Sequence, residues 1–303
     1  MAAARDRFVK DRGLTRRMVL TMFLLGLLYV VFVSVLISLG VRAVVVLLIA
    51  GGILLVQFFA SDRIALFAMH GRVVEPREAP ALHALVDRLC ALADMPKPRV
   101  AIADSDVPNA FATGRNQRTS VVCVTTGLMR RLDEPELEGV LAHEMSHVAH
   151  RDVAVMTIAS FLGVVAGLMT RVALYSGLGG RARDDRGGPP VGLIILLVSV
   201  VVYAVSFLLI RALSRYRELA ADRAGALLTG RPSTLASALT KISGDMARIP
   251  TRDLREAEPF NAFFFAPAVS GRTTMAALLA THPPLERRLE QLARISADLG
   301  RGV

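Results

Sequence analysis

The chain has 303 residues, a formal net charge of +10 and 53% hydrophobic residues, with a mean hydropathy of +0.48. Apolarity of that degree, gathered into charge-free runs, places it in the membrane class rather than among wholly soluble proteins. The positive charge does not make it a nucleic-acid binder. Its basic residues are scattered, with no run that tracks phosphates and little aromatic interleaving.

Residues 1–17 form a basic tail. Arg5, Arg7, Lys10, Arg12, Arg16 and Arg17 surround or precede the start of the first apolar run, and the positive-inside rule puts that end in the cytoplasm. Met18–Val41 and Ala43–Ser61 carry no charged residue. Each is long enough for a hydrocarbon core of about 30 Å. Only Gly40, Val41 and Arg42 separate the two spans, so residues 18–60 read as a transmembrane hairpin and not as a cleavable signal peptide.

Residues 61–152 read as the first half of a cytoplasmic domain. Ala79–Ala93 predicts an amphipathic helix with Leu82, Leu85, Val86 and Leu89 on one face, broken by Met95-Pro96-Lys97-Pro98. Residues 99–103 and 120–125 predict strands of a small sheet, with 109–113 as a third candidate. The strand at 120–125 either pairs with an extended peptide by β-augmentation or lies inside the sheet. Cys90 and Cys123 are the two cysteines, expected as free thiols without a metal role.

A helix is predicted from Asp133, its N-cap, with Glu136 completing a capping box and Pro135 in the first turn. Leu137, Val140, Leu141, Met145 and Val148 recur at helical spacing. This helix carries His143-Glu144-Met145-Ser146-His147. Residues four apart share a face, so both imidazoles can grip one zinc ion at about 2.0–2.1 Å. Glu144 lies about 100° further round, able to take a proton from water on that ion. A catalytic zinc needs a third protein ligand and one open position. His150 is about 10.5 Å along the axis from His143, too far to share the ion. Position 153, where a metzincin carries its third His, is Val153.

Val153–Thr170 and Gly187–Ile210 are charge-free again and predict a second hairpin over 153–213, with an outer loop at 176–190. With neither Pro nor Gly at the junction, the zinc helix is free to run on through Arg151-Asp152. Two spans return residues 214–303 to the side of the first half. There Glu218 and Asp222 stand four apart. An acidic pair among arginines is ordinarily a solvated, salt-bridged face. Beside a zinc helix with an empty ligand position, Glu218 reads instead as the third ligand, and Asp222 as acceptor for the outer N–H of a ligand His.

The chain resembles the HtpX-type membrane zinc endopeptidases of the M48 peptidase family, relatives of the CAAX prenyl endopeptidases. The resemblance rests on His143-Glu144-x-x-His147, on Glu218-x-x-x-Asp222 after a pair of spans, on Pro108-Asn109-Ala110-Phe111-Ala112, on Thr281-His282-Pro283-Pro284 and on the four-span layout. It covers nearly the whole chain. It implies a mainly α integral membrane protein: four transmembrane helices and a cytoplasmic α+β, gluzincin-like zinc protease domain with a small sheet. It implies one zinc per chain on His143, His147 and Glu218, with Glu144 as catalytic base. It also implies a bacterial inner-membrane location, both termini and the site cytoplasmic, a role in protein quality control under stress, and self-cleavage.

Other residues carry two readings each. His282 either hydrogen-bonds the oxyanion or caps the helix that starts near Pro284. Asn109 either binds substrate backbone or forms an Asx turn. Phe263-Phe264-Phe265 either meets the membrane or packs in a core. The expected activity is endopeptidase cleavage of membrane or misfolded proteins beside the bilayer. The rivals are a peptidase for a narrow processed or lipidated peptide, and a non-catalytic scaffold stapled by zinc. The open ligand position disfavours the scaffold, since structural zinc sites fill all four places.

Overall fold

Helix α1 (Arg12–Ser38) and helix α2 (Ala43–Ala68) open the chain, followed by strand β1 (Gly71–Val73) and helix α3 (Pro80–Ala93). Strands β2 (Arg99–Ala103), β3 (Ala110–Thr113) and β4 (Val121–Thr125) lead into short α4 (Thr126–Arg131) and then α5 (Glu134–Ala149). Among the described residues four further helices follow: α6 (Asp152–Tyr175), α7 (Val191–Thr229), α8 (Pro232–Met246) and α9 (Leu285–Gly300). This computed structural model describes residues 12–39, 43–175, 191–246 and 282–300. The start of the basic tail, the 40–42 turn, the loop at 176–190, and Phe263-Phe264-Phe265 lie outside the described residues.

By length and composition, Thr15–Ser38 and α7 are each able to cross a membrane. A third span exists if Gly51–Ala60 and Asp62–Ala68, bent by 72°, count as one. In α6 the apolar stretch Val155–Arg171 is shorter. The four expected apolar helices are therefore all present, and two or three of them meet the requirement for a span. Their contacts explain their shape. Leu25, Phe32 and Leu36 of α1 pack with Ala159, Val165 and Met169 of α6 and with Val202 and Leu213 of α7.

The sheet has the order β1-β2-β4-β3, with β2 and β4 parallel and the outer pairs antiparallel. One face meets the end of α2, where Ala65 joins Ala101, Ala103, Phe111, Val121 and Cys123. The other contributes Val100, Val122 and Val124 to the main core under α3, α5, α8 and α9. All five residues of β4 are buried between two neighbours. It is thus the interior alternative, with no free edge for a peptide. The edge nearest the zinc-motif helix belongs to β3.

The capping box at Asp133 and Glu136 forms as expected, and Glu136 also binds Ser237 and Lys241 of α8. The junction with α6 departs from the continuous helix that the sequence permits. Helix α5 stops at Ala149, Arg151 takes the left-handed conformation at φ 56°, and α6 starts afresh at Asp152. Such a conformation costs about 1 kcal/mol or more for a residue with a side chain. It turns Asp152 back toward His147 and Arg217, whose bonds to its carboxylate offset that strain. Helix α7 is unbroken over 39 residues, about 58 Å, so the apolar segment and the Glu218 segment are one rigid rod.

Candidate metal centre

Helix α5 presents His143 and His147, and α7 crosses it closely enough to bring Glu218 between them. Gly225 makes the crossing possible. A Cβ there would sit 2.9 Å from the His143 backbone nitrogen. Glu218, Asp222 and Gly225 recur at helical spacing, so one face of α7 carries the close contact and both carboxylates.

The ligand atoms converge. His143 Nε2 and His147 Nε2 are 3.2 Å apart, and Glu218 oxygens stand 3.7 and 3.4 Å from them. Tetrahedral bonds of about 2.1 Å would place ligand atoms about 3.4 Å apart. The outer nitrogen of each His meets a carboxylate: His147 donates its Nδ1–H to Asp152 at 2.5 Å, and His143 Nδ1 pairs with Asp222 Oδ1 at 2.9 Å. Those contacts orient both rings so that, with a metal bound, both Nε2 lone pairs would face a common centre beside Glu218. Three ligand atoms directed at one spot suit a cation, which on binding would displace any proton shared between the imidazoles and Glu218. His143, His147 and Glu218 therefore form a group that could hold a metal, and the donor set fits a divalent cation such as zinc.

Both orienting carboxylates are clamped in turn by arginine. Arg288 of α9 forks onto Asp222 with bonds of 2.7 and 2.6 Å, and Arg217 meets Asp152 at 2.7 Å. Burial alone would push the His147 imidazole down, but Asp152 and Glu218 outweigh it and raise it to about 10. Burial likewise opposes ionisation of Glu218, yet His282, His143 and His147 hold it well below the usual carboxylate range. Glu144 differs from its neighbours. Burial dominates and raises it, as a proton acceptor near neutral pH requires. Its Oε2 accepts the backbone N–H of Ala112 at 2.9 Å, tying it to edge strand β3.

A sequence profile described as Peptidase family M48 matches residues 76–296. The chain belongs to peptidase family M48. Among its relatives, Protease HtpX homolog 1 of Streptomyces coelicolor is 63% identical, over 97% of each chain. Protease HtpX homolog of Moorella thermoacetica is 55% identical, over 97% of this chain and 98% of the relative. The crystal structure of S. mikatae Ste24p shares the fold, with a TM-score of 0.55 at 17% identity over 93% of this chain and 67% of that one. Family and apolar helices together make this an M48 membrane protease.

The remaining candidates find their places around this M48 centre. His282 Nδ1 donates to Glu218 Oε2 at 2.9 Å, so that nitrogen does not cap α9. Its Nε2 is buried with no hydrogen-bond partner among the described residues. Asn109 is fully buried at the head of β3, its backbone N–H on Thr125 Oγ1 at 2.9 Å. His150 turns away and bonds the Ser146 carbonyl at 2.8 Å. Cys90 and Cys123 are free and buried, which pushes their thiols up to about 11 and about 12, and neither belongs to the metal group.

Asp152, Arg217 and Arg288 escaped the sequence reading. Arg288 left a signal. It lies on the stripe of Leu285, Leu292 and Ile295, where a charge is out of pattern unless it is paired in the interior. Asp152 left none, because its approach to His147 depends on the turn at Arg151.

Proposed function

We propose that this protein is a zinc-dependent endopeptidase of the membrane surface, with His143, His147 and Glu218 holding the metal and Glu144 acting as general base. The observation that carries the reading is the convergence of those three ligand atoms next to a carboxylate that burial makes more basic. A zinc ion bound there would supply Lewis acidity for the scissile carbonyl and activate water. Glu144 takes the proton of the attacking water and returns it to the leaving amine. Asp222 and Asp152 keep the two His lone pairs facing inward. His282 holds Glu218 and, when doubly protonated, offers Nε2–H to the developing oxyanion. Asn109 steadies β3, and an extended substrate segment adds to the edge of that strand beside Glu144.

The domain halves at 61–152 and 214–303, two transmembrane hairpins and a cytoplasmic site follow from the charge-free runs and the basic tail. In this reading all four apolar helices cross the inner membrane. The substrates are membrane or misfolded proteins that present an extended stretch near the bilayer. The test is Glu144→Gln in purified full-length protein. Zinc content should stay at one per chain, while cleavage of an unfolded protein falls by at least about 100-fold. Unchanged cleavage would remove Glu144 from the role. Loss of zinc with loss of cleavage would leave the base assignment unsupported.

A further inference from the structure

Away from the metal centre, α1, α7 and α9 enclose a cleft of about 470 Å³. Its walls bring together Arg17, Arg223, Arg287 and Arg294, with Glu290 and Asp298 as the acidic lining residues. Among the described residues, four guanidinium groups and two carboxylates line it, with Arg294 largely exposed. Arg294 meets Glu290 at 3.5 Å on its own helix. Arg17 lies over the Tyr216 ring at 5.8 Å. Arg287 makes no ion pair among the described residues, and the Nε of Arg223 is buried with no hydrogen-bond partner among them.

The cleft also has a particular depth. Arg17 lies within the first turn of the candidate span Thr15–Ser38, where a headgroup layer begins. Arg223 is about 15 Å along α7 beyond Leu213, the residue at which the apolar part of that helix ends. Topology alone explains Arg17, since basic residues near span ends fix orientation. It does not explain Arg287 and Arg294, which lie far along the chain from any span and reach the same cleft only through folding. Guanidinium groups lining one cleft give it a positive potential that attracts an anion. Their planar forks match phosphate oxygens in pairs.

We propose that this cleft is a binding site for a phosphate ester, supplied as the headgroup of an anionic membrane phospholipid. The lipid bridges α1, α7 and α9, three elements well separated in the sequence. Its effect reaches toward the metal centre through adjacent residues. Arg223 follows Asp222 and Arg287 precedes Arg288, so a headgroup gripped by Arg223 and Arg287 presses α9 onto α7 where Arg288 clamps Asp222.

The experiment uses the full-length protein purified in a neutral detergent. Native mass spectrometry and thermal unfolding are followed with phosphatidylglycerol, with phosphatidylcholine and with inorganic phosphate. Phosphatidylglycerol should remain bound and raise the unfolding midpoint, phosphatidylcholine should do neither, and added salt should weaken the effect. The double variant Arg223→Gln/Arg287→Gln should weaken phosphatidylglycerol binding by about tenfold or more. Arg77→Gln/Arg118→Gln removes the same charge outside the cleft and should leave it unchanged. A shift from inorganic phosphate equal to that from phosphatidylglycerol assigns the site to a free anion and overturns the lipid source. Equal binding of both lipids, or equal loss in both double variants, overturns the site itself. The lipid comparison in the unaltered protein decides the matter even if a variant misfolds.

Discussion

Along α1, Phe23 and Val30 turn outward at 65% and 59% exposure; where α5, α7 and α9 meet, His143, Asp222 and Arg288 stand at 1%, 0% and 2%. One region shows apolar surface to its surroundings and the other hides charge. Outward apolar groups cost nothing in hydrocarbon, where the solvent is as apolar as the side chain. Hidden charges are tolerated only where each has a partner of opposite sign and good geometry. The membrane helices therefore depend on composition, residue by residue. The site depends on a closed set of pairs contributed by four helices.

That contrast is tested most severely by opening one pair. Asp222→Ala leaves Arg288 buried without a counter-charge and His143 without its acceptor. It should lower stability by about 3–5 kcal/mol and abolish stoichiometric zinc. Thermal unfolding in detergent with metal analysis reads both effects. Asp222→Leu/Arg288→Met should then recover most of the stability, because apolar replacement of a whole pair is often neutral, yet bind no zinc as tightly as the wild type. If the single variant unfolds at the wild-type temperature, the buried pair is not what stabilises the seam.

The converse operation places a charge on the apolar face. Val30→Arg sits in the middle of the α1 span and should cost about 2.5–3.5 kcal/mol of insertion. Membrane-integrated yield in cells is the measurement, with Val30→Leu as the neutral control. Equal yields for the two variants would mean that this face of α1 does not meet lipid.

What the sequence disclosed follows the same division. The four charge-free runs are visible because apolar composition is a local property, readable over each stretch of chain on its own. The His143–His147 face is visible because helical spacing is local too. Glu218 and Asp222 were legible only as the answer to an unfilled ligand position, since their meeting with α5 depends on the close approach at Gly225. A continuous helix through Arg151, which the sequence permits, does not form. Nothing nearby in sequence forbids it, and the turn is held by Arg217, brought in by a helix on the far side of two apolar segments. The choice between an interior and an edge position for β4 was likewise not local, because it depends on which strand lies beside it.

The same turn gives the smallest and most discriminating effect. Asp152→Asn keeps an oxygen within reach of His147 Nδ1–H but removes the charge that Arg217 neutralises. Loss of such an outer partner typically weakens metal affinity by about 10–100-fold. The Asp222–Arg288 pair remains intact, so the fold should hold and only the affinity should fall, as measured by zinc competition with a chelator. Arg217→Gln should weaken zinc less, since Asp152 still accepts from His147. The order of the two variants is the informative part. Equal losses would mean that the arginine, not the carboxylate, sets the ring's orientation. No loss in either would mean that the left-handed turn at Arg151 serves only to redirect the chain into α6.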